Sequence, residues 1–216
     1  RRQRQMCIRD RERIEYICAP ADENALVGQT ETVMQTDYYF RGEELMLTDD
    51  SGETWVASGL TTKQLEETKA VYGQGNMIPE NSVYADGNGM FAVFWGETPT
   101  LHVSKDDGET WTDFVFQEEY PRLCTSRIVR FLDPENGYVG LGTDWSMGTG
   151  GATYIGWTHD GGATWETTPV AVENGWILSG LAFADQSAGM LTMDEQFGEN
   201  SWPHVLVTEN LSLIHI

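Results

Sequence analysis

Acidic and aromatic side chains fall together at four places in the chain: Asp37-Tyr38-Tyr39-Phe40-Arg41, Trp95-Gly96-Glu97, Asp144-Trp145-Ser146-Met147, and the stretch from Asp194 to Trp202 that holds Glu195, Phe197 and Glu199. Flat rings stack on the C–H faces of a sugar while carboxylates accept from its hydroxyls, so this pairing is a binding chemistry for a glycan. Candidate ligand-binding residues are therefore Tyr38, Tyr39, Arg41, Trp95, Glu97, Asp144, Trp145, Glu195, Phe197 and Trp202. The acids Asp37, Glu97, Asp144, Glu195 and Glu199 could also act as an acid and base pair on a glycosidic bond if the fold held two at a suitable separation. No feature of the sequence singles out such a pair, so no catalytic residue is assigned. His102 and His159 each stand alone, and Cys18 and Cys124 have neither CxxC spacing nor a His pair beside them. No metal site is expected, the two cysteines read as small buried residues, and the absence of a glycine-rich phosphate loop gives no reason to expect a cofactor.

Charge narrows the partners further. A formal charge of −21 over 216 residues opposes binding to nucleic acid, which depends on clustered Lys and Arg, and equally opposes anionic membrane surfaces. No run approaches the roughly 18–20 apolar residues that cross a bilayer, so membrane insertion is not expected. The first eleven residues, with five Arg, and residues 211–216 resemble translated adapter sequence more than protein. They are expected to be a non-native leader and tail around a single domain at 12–210.

The elements that would position these residues announce themselves by repetition. Thr48-Asp49-Asp50-Ser51-Gly52-Glu53-Thr54-Trp55, Ser104-Lys105-Asp106-Asp107-Gly108-Glu109-Thr110-Trp111 and Thr158-His159-Asp160-Gly161-Gly162-Ala163-Thr164-Trp165 are three copies of one motif, their tryptophans 56 and 54 residues apart. Each reads as a turn between two strands. Asp50, Asp106 and Asp160 are expected to accept from backbone N–H groups two or three residues on, Gly52, Gly108 and Gly162 to supply positive φ, and Trp55, Trp111 and Trp165 to bury a large ring. Ahead of each copy lies a strand, a turn opened by Asp, and a second strand, as in Ile128–Leu132, Asp133-Pro134-Glu135-Asn136 and Tyr138–Leu141; in the first unit this element is read at Asp22–Gly28. The unit is four strands over about 50 residues, which predicts an all-β fold: a β-propeller fragment of about four four-stranded antiparallel blades, at approximately 12–60, 78–118, 124–172 and 177–210. The fourth unit breaks off at Asn210, where its Gly and Trp are due.

In such a blade the 1–2 and 3–4 turns share one face, and the 2–3 loops share the other with the connections between blades. The motif turns belong to the first face and the four aromatic and acidic clusters, read as 2–3 loops, to the second. Between the first two blades, Thr61 to Ala70 has a Thr cap and helix formers, predicting a short helix that fills this face.

The three hairpins resemble the Asp-box, or BNR repeat, of sialidases, sortilin-type receptors and bacterial surface propellers, and the likeness covers about 190 of the 216 residues. The resemblance implies a structural role for the motif residues and a secreted or surface location in a bacterium. It also raises a sialidase-like glycosidase, which would clamp a substrate carboxylate with three arginines. The nearest matches to that family's Arg-Ile-Pro signature are Arg13-Ile14-Glu15 and Arg127-Ile128-Val129, and both lack the proline. The expected function is thus a propeller that binds a glycan or protein through the face opposite the motif turns; a sialidase-like hydrolase and an assembly scaffold are the alternatives.

Overall fold

The computed structural model describes residues 5–9, 16–20, 37–68, 77–79, 81–116, 124–143, 152–171, 176–185, 187–195, 204–208 and 214–215. The chain divides into two units, 1–35 and 36–216. In the first, β1 (Gln5–Arg9) pairs antiparallel with β2 (Tyr16–Pro20), so the expected foreign leader contributes a strand. The Asp22–Gly28 element lies outside the described residues.

Among its described residues the second unit is all β apart from one short helical segment. Sheet one holds β3 (Asp37–Arg41), β4 (Glu44–Thr48) and β5 (Val56–Thr61), and α1 (Thr62–Leu65) follows, continued by a 3₁₀ turn at Glu66–Thr68. Sheet two is β6 (Val83–Ala85), β7 (Phe91–Trp95), β8 (Thr100–Ser104) and β9 (Thr112–Val115). Sheet three is β10 (Cys124–Phe131), β11 (Gly137–Thr143), β12 (Thr153–Thr158) and β13 (Glu166–Val170). Sheet four is β14 (Trp176–Phe183), β15 (Gly189–Glu195), β16 (His204–Thr208) and β17 (Ile214–His215). Every neighbouring pair is antiparallel and in sequence order, and β17 falls within the expected foreign tail. These are propeller-like blades: four successive antiparallel sheets of three or four strands.

One register runs through all four. Asp37, Phe91, Gly137 and Gly189 each begin the second strand of the repeat, and each stands opposite the last residue of the third strand: Thr48, Ser104, Thr158 and Thr208. Asp37–Arg41, read from sequence as a 2–3 loop, is therefore the second strand of the first blade. Its consecutive aromatic residues suit a pleated surface, and Gly42 at φ 68° closes a two-residue turn to β4.

Alternation along each strand builds the cores between sheets. On β7, Phe91 and Val93 face sheet one with Leu45, Leu47, Leu60 and Val83, while Ala92 and Phe94 face sheet three with Leu101, Val129, Val139 and Leu141. Ile128, Tyr138 and Ile155 then meet Trp176, Leu178, Leu181 and Leu191 of sheet four. Full burial of each such side chain contributes about 1.5–3 kcal/mol, so the sheets hold one another more than each holds itself. The glycines of β11 set how closely sheet four approaches: a Cβ at Gly142 would lie 2.9 Å from Leu178 Cβ. First strands converge, with β10 touching β6, β7 and β14, whereas fourth strands such as β9 and β13 are largely exposed. His102 bridges sheets, its Nε2 2.8 Å from Ser58 O and its ring stacked on Trp111 at 4.4 Å.

Candidate functional site

The three motif turns are built alike, atom for atom. In the first, Thr48 Oγ1 accepts from Gly52 N at 2.9 Å and donates to Asp50 Oδ1 at 2.7 Å. Asp50 accepts from Thr54 N at 2.9 Å and Thr54 Oγ1 at 2.6 Å, and Trp55 Nε1 donates to Gly52 O at 3.1 Å. Asp106 and Asp160 repeat this with Ser104, Thr110 and Trp111, and with Thr158, Thr164 and Trp165. The main donors come from four residues on, with weaker backbone donation from Glu53 and Ala163 three residues on, because positions four and five of the motif both turn left-handed: Ser51 and Gly52 at φ 62° and 89°, Asp107 and Gly108 at 55° and 78°, Gly161 and Gly162 at 68° and 92°. Ser, Asp and Gly at position four were the sequence signal for this, since small polar residues and glycine tolerate that region. The hydroxyl hub of the motif's first residue and the double donation by its Thr had no role in the sequence reading.

Hydrogen bonds to the charged form hold these carboxyls below the usual range. For Asp50, Asp106 and Asp160 the threonine hydroxyl bond is the largest cause, and Asp160 falls to about 2. These are anchored structural acids, and every lone pair engaged inside the turn is withdrawn from proton transfer. The turns are also tied to their own sheet: Asp107 N donates to Gly89 O at 3.0 Å and Gly161 N to Glu135 O at 2.7 Å, joining the 3–4 turn to the 1–2 turn at the same end. The 1–2 turns are closed by Asp86, Asp133 and Asp185, which accept from backbone N–H groups at 2.7–2.9 Å. At this end an open groove of about 590 Å³ lies between sheets three and four, lined by Leu132, Asp133, Asn136, Ala184, Asp185 and Ser187. Its two carboxyls are already spent on their turns, which lowers the pKa of both.

At the opposite end, the turn at 96–99 carries Glu97 and follows Trp95, the last residue of β7. Both peptide groups of Gly96 are held: its N–H donates to Thr68 Oγ1 at 2.9 Å, and its C=O accepts from Arg127 Nη2 at 2.6 Å. Arg127 is 1% exposed and also donates to Cys124 O at 2.6 Å and, more weakly, to Thr68 O at 3.4 Å. Burial among carbonyls lowers its pKa, and burial raises that of the adjacent Cys124 thiol to about 11. Thr68 is delivered by the short helix. Thr61 caps it in a reciprocal box with Gln64, Thr62 N donates to Glu43 O at 2.7 Å, and Leu65 is fully buried between sheets one and two. The helix fills this face. One buried arginine thus locks helix, turn and the first strand of sheet three together, a role invisible from the sequence.

The sequence candidates fall into separate places. Trp95 is half-buried, its Nε1 without a partner among the described residues, and Glu97 beside it is exposed and makes no ion pair there. Phe40 packs toward sheet two, so alternation puts Tyr39 and Arg41 on the outer face of sheet one, where Tyr39 meets Trp55 edge-on at 4.5 Å and Arg41 pairs with Glu44 at 2.9 Å. Tyr38 is 44% exposed. Glu195 ends β15, with its side chain outside the description, and Asp144, Trp145, Phe197 and Trp202 lie outside the described residues. Among the described residues no group of acids, His or Cys is arranged to hold a metal ion. Three arginines of the second unit are engaged: Arg41 with Glu44, Arg127 with carbonyls, and Arg130 with Asn81 Oδ1 at 2.9 Å and Val129 O at 2.6 Å.

The sheets define a class, an all-β repeat of propeller-like blades. No family model matches the chain, and no curated protein matches it. Among solved structures it is similar to a GH74 enzyme of Niastella koreensis, at 19% identity and a TM-score of 0.49, over 82% of this chain and 26% of that one. The chain spans about a quarter of that enzyme's length.

Proposed function

We propose that the chain is an Asp-box propeller fragment that binds a glycan through the end opposite the motif turns. One observation carries this: the turn that follows Trp95 and bears Glu97 is fixed at both peptide groups of Gly96 by buried partners, leaving Glu97 exposed with no ion pair among the described residues. A preorganised turn of this kind loses little freedom on binding. Glu195 ends the second strand of sheet four, and Asp144, Trp145, Phe197 and Trp202, outside the described residues, come after the second strands of sheets three and four in the sequence and are proposed to belong to the same surface. The sialidase-like alternative lacks its main requirement among the described residues, since Arg41, Arg127 and Arg130 already have partners and Arg127 is closed to solvent. A secreted or surface location in a bacterium belongs to the same proposal and rests on resemblance of the motif.

The test is a glycan array read with the intact protein and with Trp95→Ala, Trp145→Ala and Trp202→Ala. Binding to a restricted set of glycans, weakened by the substitutions, supports the reading. No bound glycan, or binding indifferent to all three changes, removes it.

A further inference from the structure

The seam between sheets one and two holds a histidine placed between two acceptors. In sheet one the pairs Glu44–Thr61 and Met46–Ala57 leave residues 58–60 opposite the single Leu45, a β-bulge turned by Gly59 at φ 73°. Inside it the Ser58 hydroxyl stands in for the ladder, donating to Leu45 O at 2.9 Å and accepting from Leu60 N at 3.1 Å. The Ser58 carbonyl faces sheet two, 2.8 Å from His102 Nε2. The other ring nitrogen, Nδ1, lies 2.5 Å from Asp113 Oδ1 on β9, the residue opposite His102 in the ladder.

A carbonyl oxygen and a carboxylate only accept, so both bonds exist together only while both ring nitrogens carry a proton. A neutral ring has one N–H and turns a lone pair on one of the two acceptors. The elements packed round the ring suit the cation. β7 sets Val93 opposite it, β5 brings Ser58, and Trp111 lies flat on it with the planes 4° apart. Asp113 is the ionisable group that bonds it; nearby, Lys105 donates to Asp160 O of sheet three, and Asp106 is bound within its own turn. The Asp113 side chain is 51% exposed and that of His102 12%, so solvent reaches the pair at the carboxylate. We infer that His102 is a proton-operated latch between sheets one and two. As an imidazolium it ties β8 and β9 to the bulge of β5. On losing a proton it keeps the N–H at Nδ1, where the acceptor is charged, and releases Ser58 O. The seam is therefore tighter on the acid side of neutrality and looser on the alkaline side.

Ring-nitrogen NMR and amide hydrogen exchange on the full chain, from pH of about 5 to about 8, test this. At the acid end both His102 nitrogens are expected at imidazolium shifts, and at the alkaline end Nε2 alone has lost its proton. Exchange at 58–60, corrected for its intrinsic pH dependence, is expected to rise about tenfold relative to β11, the loss of one charge-assisted bond. Asp113→Asn offers an amide that donates to Nδ1, so a neutral ring then satisfies both nitrogens and the seam stays closed across the range. His102→Gln removes the proton-dependent group and with it the extra rise. The ring signals are identified by their loss in His102→Gln or their movement in Asp113→Asn. Circular dichroism verifies each fold, and either variant suffices if the other fails to fold. A singly protonated ring at the acid end, a rise at 58–60 no larger than at β11, or a folded variant that still opens at the alkaline end overturns the inference.

Discussion

Alanine at Gly108, Gly52 and Gly162 makes one chemical change at three equivalent turns, and the surroundings rank the outcomes. All three glycines have φ between 78° and 92°, so each alanine carries the left-handed penalty of about 1–2 kcal/mol. Space separates them. At Gly162 the new Cβ meets Val103 Cγ2 at 3.4 Å, an ordinary contact, and at Gly52 it meets the Trp55 ring at 3.2 Å, which a small ring shift relieves. At Gly108 it overlaps Val56 Cγ1 of the neighbouring sheet. Val56 is β-branched and packs into the core between sheets one and two, so it escapes only by leaving its rotamer or parting the sheets. Overpacking of this kind adds about 1–3 kcal/mol. Gly108→Ala is therefore expected to lose about 2–5 kcal/mol and Gly162→Ala about 1–2, a gap that appears at about 2–4 °C per kcal/mol in the melting temperature. Urea unfolding followed by tryptophan fluorescence measures it directly. Combining each change with Val56→Ala should recover the excess loss at Gly108 and nothing at Gly162. Equal losses at the two glycines, or no coupling between Val56 and Gly108, would refute the packing of motif turns against the preceding sheet.

Arg127→Met strands the carbonyls of Gly96 and Cys124 at about 1–3 kcal/mol each while relieving the desolvation of a charge, for a net loss of about 2 kcal/mol in unfolding free energy seen as a lower urea midpoint, together with faster hydrogen exchange at Gly96; an unchanged midpoint would show the strut to be idle. The acids of the turns have folded pKa values below their unfolded value near 3.8, so the stability they contribute is present above it and is lost as pH falls through the folded values, about 2 for Asp160. Melting temperature should consequently drop between pH of about 4 and about 2, and less steeply in Asp160→Asn; a flat profile would contradict the assignment. Cys124, buried with its thiol pushed up to about 11, is expected to escape iodoacetamide in the folded protein and to react on unfolding, as peptide mass mapping would reveal.

The motif turns were legible because their chemistry is local: a hydroxyl, a carboxylate, a glycine and a tryptophan within eight residues determine one geometry, three times over. The same locality set the strands that flank them. The second strand of the first blade was misplaced, since Asp22-Glu23-Asn24 mimics the turns at Asp133 and Asp185, while Tyr38-Tyr39-Phe40 carries both aromatic loop chemistry and strand propensity. The destination of each aromatic side chain was not readable, because it depends on register: one step along β3 sends Phe40 toward sheet two and Tyr39 away from it. Arg127 was noticed for its neighbour Ile128 as a clamp, yet beside the local Cys124 its partners come from residues 68 and 96, and no local pattern encodes contacts at that separation.

The claim that the working face lies opposite the motif turns is most directly tested by hydrogen–deuterium exchange with and without the tightest glycan from the array. Protection confined to peptides covering Trp95–Thr98 and the segments after β11 and β15 is the predicted result. Protection instead at the groove of Asp133–Asn136 and Asp185–Ala188, or none anywhere, would contradict it.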